Sequence, residues 1–355
     1  MNTKLKNGIA ISILPQILLV KWFGSYPGLV ETYYSNGVYT YVSKFFRFLY
    51  GWIPFSIGDI IYATLIVIAL RYVYLKRKKI KDKPLPFFRD VAMVLSVAYF
   101  SFYVLWGFNY FRQPVYKTMG LREQYTKEEL MSFTKKLIES TNTVHLAIAA
   151  HDTLQASVPY SQAEIFEKTT AGYDTLKTQF PYLTYTNASI KRSLFSTMLT
   201  YMGYGGYLNP FTNEAQVNGK IPNFRFPVVT CHEIAHQIGY AAENEANFMG
   251  YLAAVNNQDL YFKYAAYTYA LSYCLTEIRR SDEAVFKSLY AQINRGIQKD
   301  YEELNRFWVS YENPLEPIFK NIFNSFLKAN NQPKGIQSYS LVVSLLVAYH
   351  SENPL

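Results

Sequence analysis

Apolar positions fall along this chain in two modes, as long unbroken runs near the start and as short helical stripes afterwards. Residues 91–111 contain no charge, and residues 56–75 contain only Asp59 near one end and Arg71 near the other. At about 1.5 Å of rise per residue, each run is long enough for a hydrocarbon layer of roughly 30 Å. Both predict membrane-spanning helices, with Arg71 snorkelling to the headgroups and Trp106, Tyr110 and Phe111 at the water interface before Arg112. A further run, residues 8–20, is shorter, is interrupted by Pro15 and follows Lys4 and Lys6 as a secretory signal would. No small-residue cleavage pattern precedes Lys21, Trp22 and Phe23, so an uncleaved anchor is expected, giving three spans within residues 1–111.

From residue 112 onward no run is long enough to span again, and the 341–349 run reads as a packed helix. Thr126 with Glu129 and Ser161 with Glu164 form capping-box patterns that open helices over 127–150 and 162–178. The Gly, Asn and Pro of residues 202–227 allow turns and one or two short strands. Residues 228–255, 259–280, 282–297, 299–309 and 315–329 read as helices divided by punctuation. The expected class is mainly α, transmembrane helices followed by a helix-dominated α+β domain over residues 112–355. There is no internal repeat, and the 33 tyrosines are scattered.

Charge changes the picture only through its location. Of the net +9, residues 1–90 account for all, with 13 Lys and Arg against 4 Asp and Glu, while the remainder holds 22 of each sign. That excludes a nucleic-acid-binding face on the domain. The loop KRKKIKDK at 76–83 carries six bases and one acid, so by the positive-inside rule it stays in the cytoplasm. The N-terminus is then cytoplasmic, and everything after Arg112 lies outside, in the periplasm of a bacterial inner membrane. Two cysteines, Cys231 and Cys274, exclude a disulfide scaffold or four-cysteine zinc ribbon, and leave one bridge or two buried thiols.

The chemistry gathers in PVVTCHEIAHQIGYAAENEANFMGYLAAV, residues 227–255. His232 and His236, four apart on one helix face, can reach a single ion, and Glu233 beside them is placed to act as general base on its water. Zn²⁺ takes imidazole nitrogen and needs a third protein ligand if one position is to stay open. Gly239 can end the first helix in a left-handed cap, and a second helix can start near Ala242. Glu243 is favoured as third ligand because Asn247 follows it by one turn, where it can hydrogen-bond a ligand imidazole; Glu245 is the alternative. Ala246 and Ala253 leave room for the two helices to approach.

The run HEIAHQIGYAAENEANF resembles gluzincin-type zinc metallopeptidases, where HExxH is followed by a glutamate ligand on a second helix. Asn247 stands where membrane-associated relatives of that type carry an aspartate, and the spacing from His236 to Glu243 is shorter than theirs. Over nearly the whole chain, the three apolar segments, WGFNYFR, YLNPFTNEAQVN and SYSLVVSLLVAY look like an uncharacterised bacterial family of membrane-anchored HExxH proteins. The resemblance implies a zincin-like domain and no particular substrate. In zincins the segment before the metal helix often supplies an edge strand for substrate, a role that Asn213, Glu214, Ala215 and Gln216 could fill, a surface turn being the alternative.

The expected function is a membrane-anchored zinc metallopeptidase cleaving peptides or proteins of the cell envelope, with His232, His236 and Glu243 on Zn²⁺ and Glu233 as base. The alternative is a non-catalytic zinc-binding membrane protein with a structural or sensing site. An intramembrane protease is disfavoured by the polarity of residues 232–247. No oxyanion stabiliser stands out among the tyrosines, Arg279 and Arg280. His145, His151 and His350 read as packed or surface histidines, and Cys231 as a small buried hydrophobe or a thiol controlling metal access.

Overall fold

The first apolar run folds as two helices, α1 (Thr3–Ile11) and α2 (Ile13–Gly24), interrupted at Ser12. Pro15 has no N–H to offer the Ile11 carbonyl, which explains the interruption there. This is a computed structural model, and it describes residues 2–335 and 341–355. After a short turn at Pro27–Leu29 and a π-helix over Val30–Val38, the N-terminal part continues with α3 (Tyr39–Gly51), α4 (Ile57–Asp82) and α5 (Pro84–Leu105). By length and composition, Thr3–Gly24, Ile57–Asp82 and Pro84–Leu105 are each able to cross a membrane. Lys6 Nζ pairs with Asp90 at 3.1 Å, so the start of α1 and the start of α5 lie at the same end of this bundle.

The opposite end enters the domain. Asp59, in the first turn of α4, is buried and accepts from Ser193 Oγ at 2.9 Å, Leu194 N at 2.7 Å and the Tyr207 hydroxyl. The 91–111 run is not one helix: α5 ends at Leu105, Trp106 turns to φ −158°, and Gly107–Phe111 forms a short 3-10 turn. Trp106 and Tyr110, expected at the membrane interface, are instead 6% and 8% exposed inside the domain. Aromatic rings suit a membrane interface and a protein core equally, so sequence did not separate the two.

The chain is 72% helical, with one three-stranded sheet of β1 (Ile190–Arg192), β2 (Gly206–Asn209) and β3 (Glu214–Val217). The order is β1-β3-β2, parallel between β1 and β3 and antiparallel between β2 and β3. This corrects the reading of residues 213–216 as a substrate edge, because Glu214, Ala215 and Gln216 belong to the central strand, Ala215 and Gln216 being paired on both sides and Glu214 with Asn209 of β2. Buried Asn213 and Glu214 serve other ends. Asn213 Nδ2 donates to Tyr39 Oη at 2.8 Å, and the Glu214 carboxylate accepts from Ile57 N at 3.1 Å and Gly58 N at 2.6 Å. A carboxylate there meets the positive end of the α4 dipole, so the segment is a joint to α4.

In the domain, α6 (Lys127–Ile148) and α7 (Gln162–Gln179) both start with the expected capping boxes. The metal-motif helices are α8 (Phe226–Gln237) and α9 (Glu243–Val255), followed by α10 (Leu260–Ser281), α11 (Glu283–Tyr290), α12 (Arg295–Val309), α13 (Glu316–Ala329) and α14 (Val342–His350). The helix expected over 282–297 is broken after Tyr290, because Asn294 is tied to α6: its N donates to Asn142 Oδ1 at 2.9 Å. Of the SYSLVVSLLVAY stretch, residues 338–340 lie outside the described residues. The core packs α6, α7 and α14 around α8, α9 and α10, where Cys231, Ile234, Phe248, Met249, Phe262, Leu271 and Cys274 are fully buried.

Candidate metal centre

Three physical features hold α8 and α9 in place. Gly239 adopts φ +96°, the left-handed conformation that ends α8 at low cost, as expected. Beside Ala246 and Ala253, Gly250 permits the close approach of α9, since a Cβ there would stand 2.8 Å from the His232 backbone. The third feature is the chain before Arg112. Trp106 Nε1 donates to His236 O at 3.0 Å, Tyr39 Oη and Ser43 Oγ to Gln237 O at 2.7 and 2.9 Å, and Arg112 Nη1 to Gly239 O at 2.9 Å. The last carbonyls of a helix have no partner within it, so these donors fix where α8 stops. Arg112 is itself held by Glu31 at 2.6 Å and lies over the Tyr240 ring.

Within that frame the two imidazoles converge on one carboxylate. His232 Nε2 lies 3.5 Å from Glu243 Oε2, and His236 Nε2 lies 3.8 Å from Glu243 Oε1. His236 Nδ1 donates to Tyr240 O at 2.7 Å, which turns Nε2 towards the Glu243 carboxylate. The spacing suits a tetrahedral ion, whose ligands at about 2.0–2.1 Å stand roughly 3.3–3.5 Å apart. The donor atoms of His232, Glu233 and His236 also lie within 4.8 Å of one another. Burial and the neighbouring His236 push His232 well below the usual imidazole range, which keeps it neutral and able to donate its lone pair.

The two candidate third ligands separate cleanly. Glu245 points away, accepting from Val115 N at 2.7 Å, with its carboxyl pushed up to about 7 by burial against the opposing pull of Val115 and Arg112. Glu243 faces the imidazoles. Asn247 lies beside His232, while its Oδ1 accepts from Tyr269 Oη at 2.5 Å. Glu233 is buried, and its Oε2 has no partner in the protein. Burial and then the Glu243 charge push its carboxyl well above the usual carboxylate range.

These groups open into a cleft of about 700 Å³. Its walls include Trp106 and Tyr110, β2 from Gly206, and two residues from α4 and α5, Tyr62 and Phe102. The chain belongs to the DUF3810 family. The family model, described as a protein of unknown function, matches residues 34–347. No curated protein and no solved structure matches. The DUF3810 region thus takes in α4, α5, the joints and the metal-motif helices together, and its description assigns no activity.

Other expected residues fall outside the cleft of this DUF3810 chain. Arg279 and Arg280 are exposed and pair with Glu283 and Glu277, which removes them as oxyanion stabilisers. Cys231 and Cys274 are buried free thiols, and burial pushes Cys231 far above the usual thiol range. His145 is packed against Leu154 O and His350 against Tyr251, while His151 is exposed. Sequence reading missed Trp106, Tyr110 and Arg225 as cleft residues. Arg225 had a signal available: with Val229, His232 and His236 it repeats at helical spacing along one face of α8.

Proposed function

We propose that this chain is a membrane-anchored, zinc-dependent hydrolase of peptide bonds, working outside the cytoplasm on peptides or proteins at the envelope surface of a bacterial inner membrane. The observation that carries this reading is the convergence of the His232 and His236 imidazoles on the Glu243 carboxylate, with the buried Glu233 carboxyl beside them. His232, His236 and Glu243 would hold the ion. A bound Zn²⁺ supplies Lewis acidity, polarising a carbonyl and making water more acidic.

The remaining chemistry belongs to the chain. Glu233 Oε2, without a partner in the protein, takes a proton from the attacking water and passes it to the leaving amine. Tyr240 O fixes the His236 tautomer, and Asn247 orients His232. The apolar walls, including Trp106, Phe102 and Phe326, exclude water and suit an apolar substrate segment. Orientation follows the charge: the basic 76–83 turn stays inside, and the domain at the other end of the bundle stands outside. The cleft wall then borders the outer membrane surface through Tyr62 and Phe102.

The deciding experiment compares the purified chain with Glu233→Gln for zinc content and for cleavage of envelope-derived peptides. The expected result is one zinc per chain in both and cleavage only in the first. Zinc in both with cleavage in neither favours a structural or sensing site, and no stoichiometric zinc in either overturns the metal reading altogether.

A further inference from the structure

The cleft holds one cation of its own, Arg225, and it is in an unusual position. It is 7% exposed, and no acidic side chain pairs with it among the described residues. Of its five N–H donors, one reaches Ser272 Oγ at a long 3.5 Å, and Nη1 has no partner at all. Its guanidinium carbon lies 4.9 Å from the centre of the Tyr269 ring and 5.6 Å from that of Phe224. Such stacking offsets only part of the cost of desolvating a charge, and a ring face offers no acceptor in the guanidinium plane. An anion entering the cleft would supply that acceptor.

Its place on α8 says where that anion would sit. Arg225 is two helical turns before His232 on the same face, about 10 Å along the axis, and both line the same cleft. An extended peptide covers that distance in about three residues. A planar fork of donors fits a carboxylate in two-point fashion, which an ammonium group does not.

Resting on the hydrolase reading above, we infer that Arg225 is the receptor for a substrate carboxylate, selecting peptides that carry a free C-terminus or an acidic side chain about three residues from the bond to be cut. The Tyr269 ring positions the guanidinium, and the Tyr269 hydroxyl, bound to Asn247, links this subsite to the His232 side of the centre.

The test uses the full-length chain in detergent carrying Glu233→Gln, so that a bound peptide stays intact. Three fluorescent apolar tetrapeptides are titrated: a free C-terminal acid, the corresponding amide, and an amide ending in glutamate. At least one carboxylate peptide is expected to bind about tenfold more tightly than the uncharged amide, and which one does so identifies the carboxylate. Arg225→Gln erases the difference and Arg225→Lys keeps part of it. If neither carboxylate peptide outbinds the amide, or none of the three binds, or the preference survives Arg225→Gln, the inference falls. Thermal unfolding gives an independent arm, since Arg225→Met removes an uncompensated buried charge and is expected to leave Tm unchanged or raise it. A drop of about 5 °C or more shows a guanidinium that holds the fold and overturns the proposal. Carboxylate-selective binding without hydrolysis by the unmutated chain would sink the peptidase reading and leave this one standing; hydrolysis without selectivity would do the reverse.

Discussion

The pocket face of α8 and its C-terminal end are treated in opposite ways. At the end, the carbonyls of His236, Gln237 and Gly239 all receive donors from residues 39–112. Along the face, Arg225 Nη1, His232 Nδ1 and Glu233 Oε2 are buried without partners. Buried polar atoms are normally paired because leaving them bare costs about 1–3 kcal/mol each. The end of α8 is held by these donors, while Arg225 Nη1 and Glu233 Oε2 along its face are placed to meet a ligand in the cleft. The contrast also shows that the N-terminal region is more than a tether: it completes the helix that carries the metal motif.

The strongest way to test this contrast is on the pocket face. Glu233→Gln is expected to lower peptide cleavage by about 10²–10⁴-fold while leaving unfolding unchanged, as measured by kinetics and thermal melting together. A clear loss of stability would place Glu233 with the holding groups. On the other side, Arg112→Met takes the charged partner from half-buried Glu31, which keeps Asn36 Nδ2 and Gln113 N as donors, and leaves Gly239 O without its donor; it is expected to cost about 1–3 kcal/mol, with the Arg112→Met, Glu31→Gln pair recovering part of it. A milder loss, about 1–2 kcal/mol in detergent melts, is expected of Glu214→Gln, which weakens the cap on α4.

A control far from both regions sharpens the comparison. His350 donates from Nδ1 to Asn353 O at 2.6 Å, so its Nε2 accepts from Tyr251 Oη at 2.8 Å, and burial pushes its pKa down to about 4. The unfolded chain therefore binds the proton first. Stability from this residue is complete above about pH 6.5 and is lost as pH falls towards 4, by about 2–3 kcal/mol in total. His350→Gln should flatten that part of the stability profile. An unchanged slope would assign it to other groups.

The spans, the capping boxes at Thr126 and Ser161, the end of α8 at Gly239 and the HExxH pair were legible because each depends on neighbours within a few positions in the chain. Length of an apolar run, a cap three residues from its partner and two histidines one turn apart are all local geometry. Other features were decided only by packing between distant segments. Nothing near Asn213 announces that its strand takes the centre of a sheet, since β1 and β2 arrive from elsewhere. Trp106 and Tyr110 satisfy either a lipid interface or a cleft wall, and the turn after Leu105 settled which. That Glu243 faces the imidazoles and Glu245 does not followed from Val115, more than a hundred residues earlier, giving its N–H to the latter. A local pattern fixes which groups can meet an ion or a bilayer; the partners they meet instead are set by contacts that close only when the whole chain has folded.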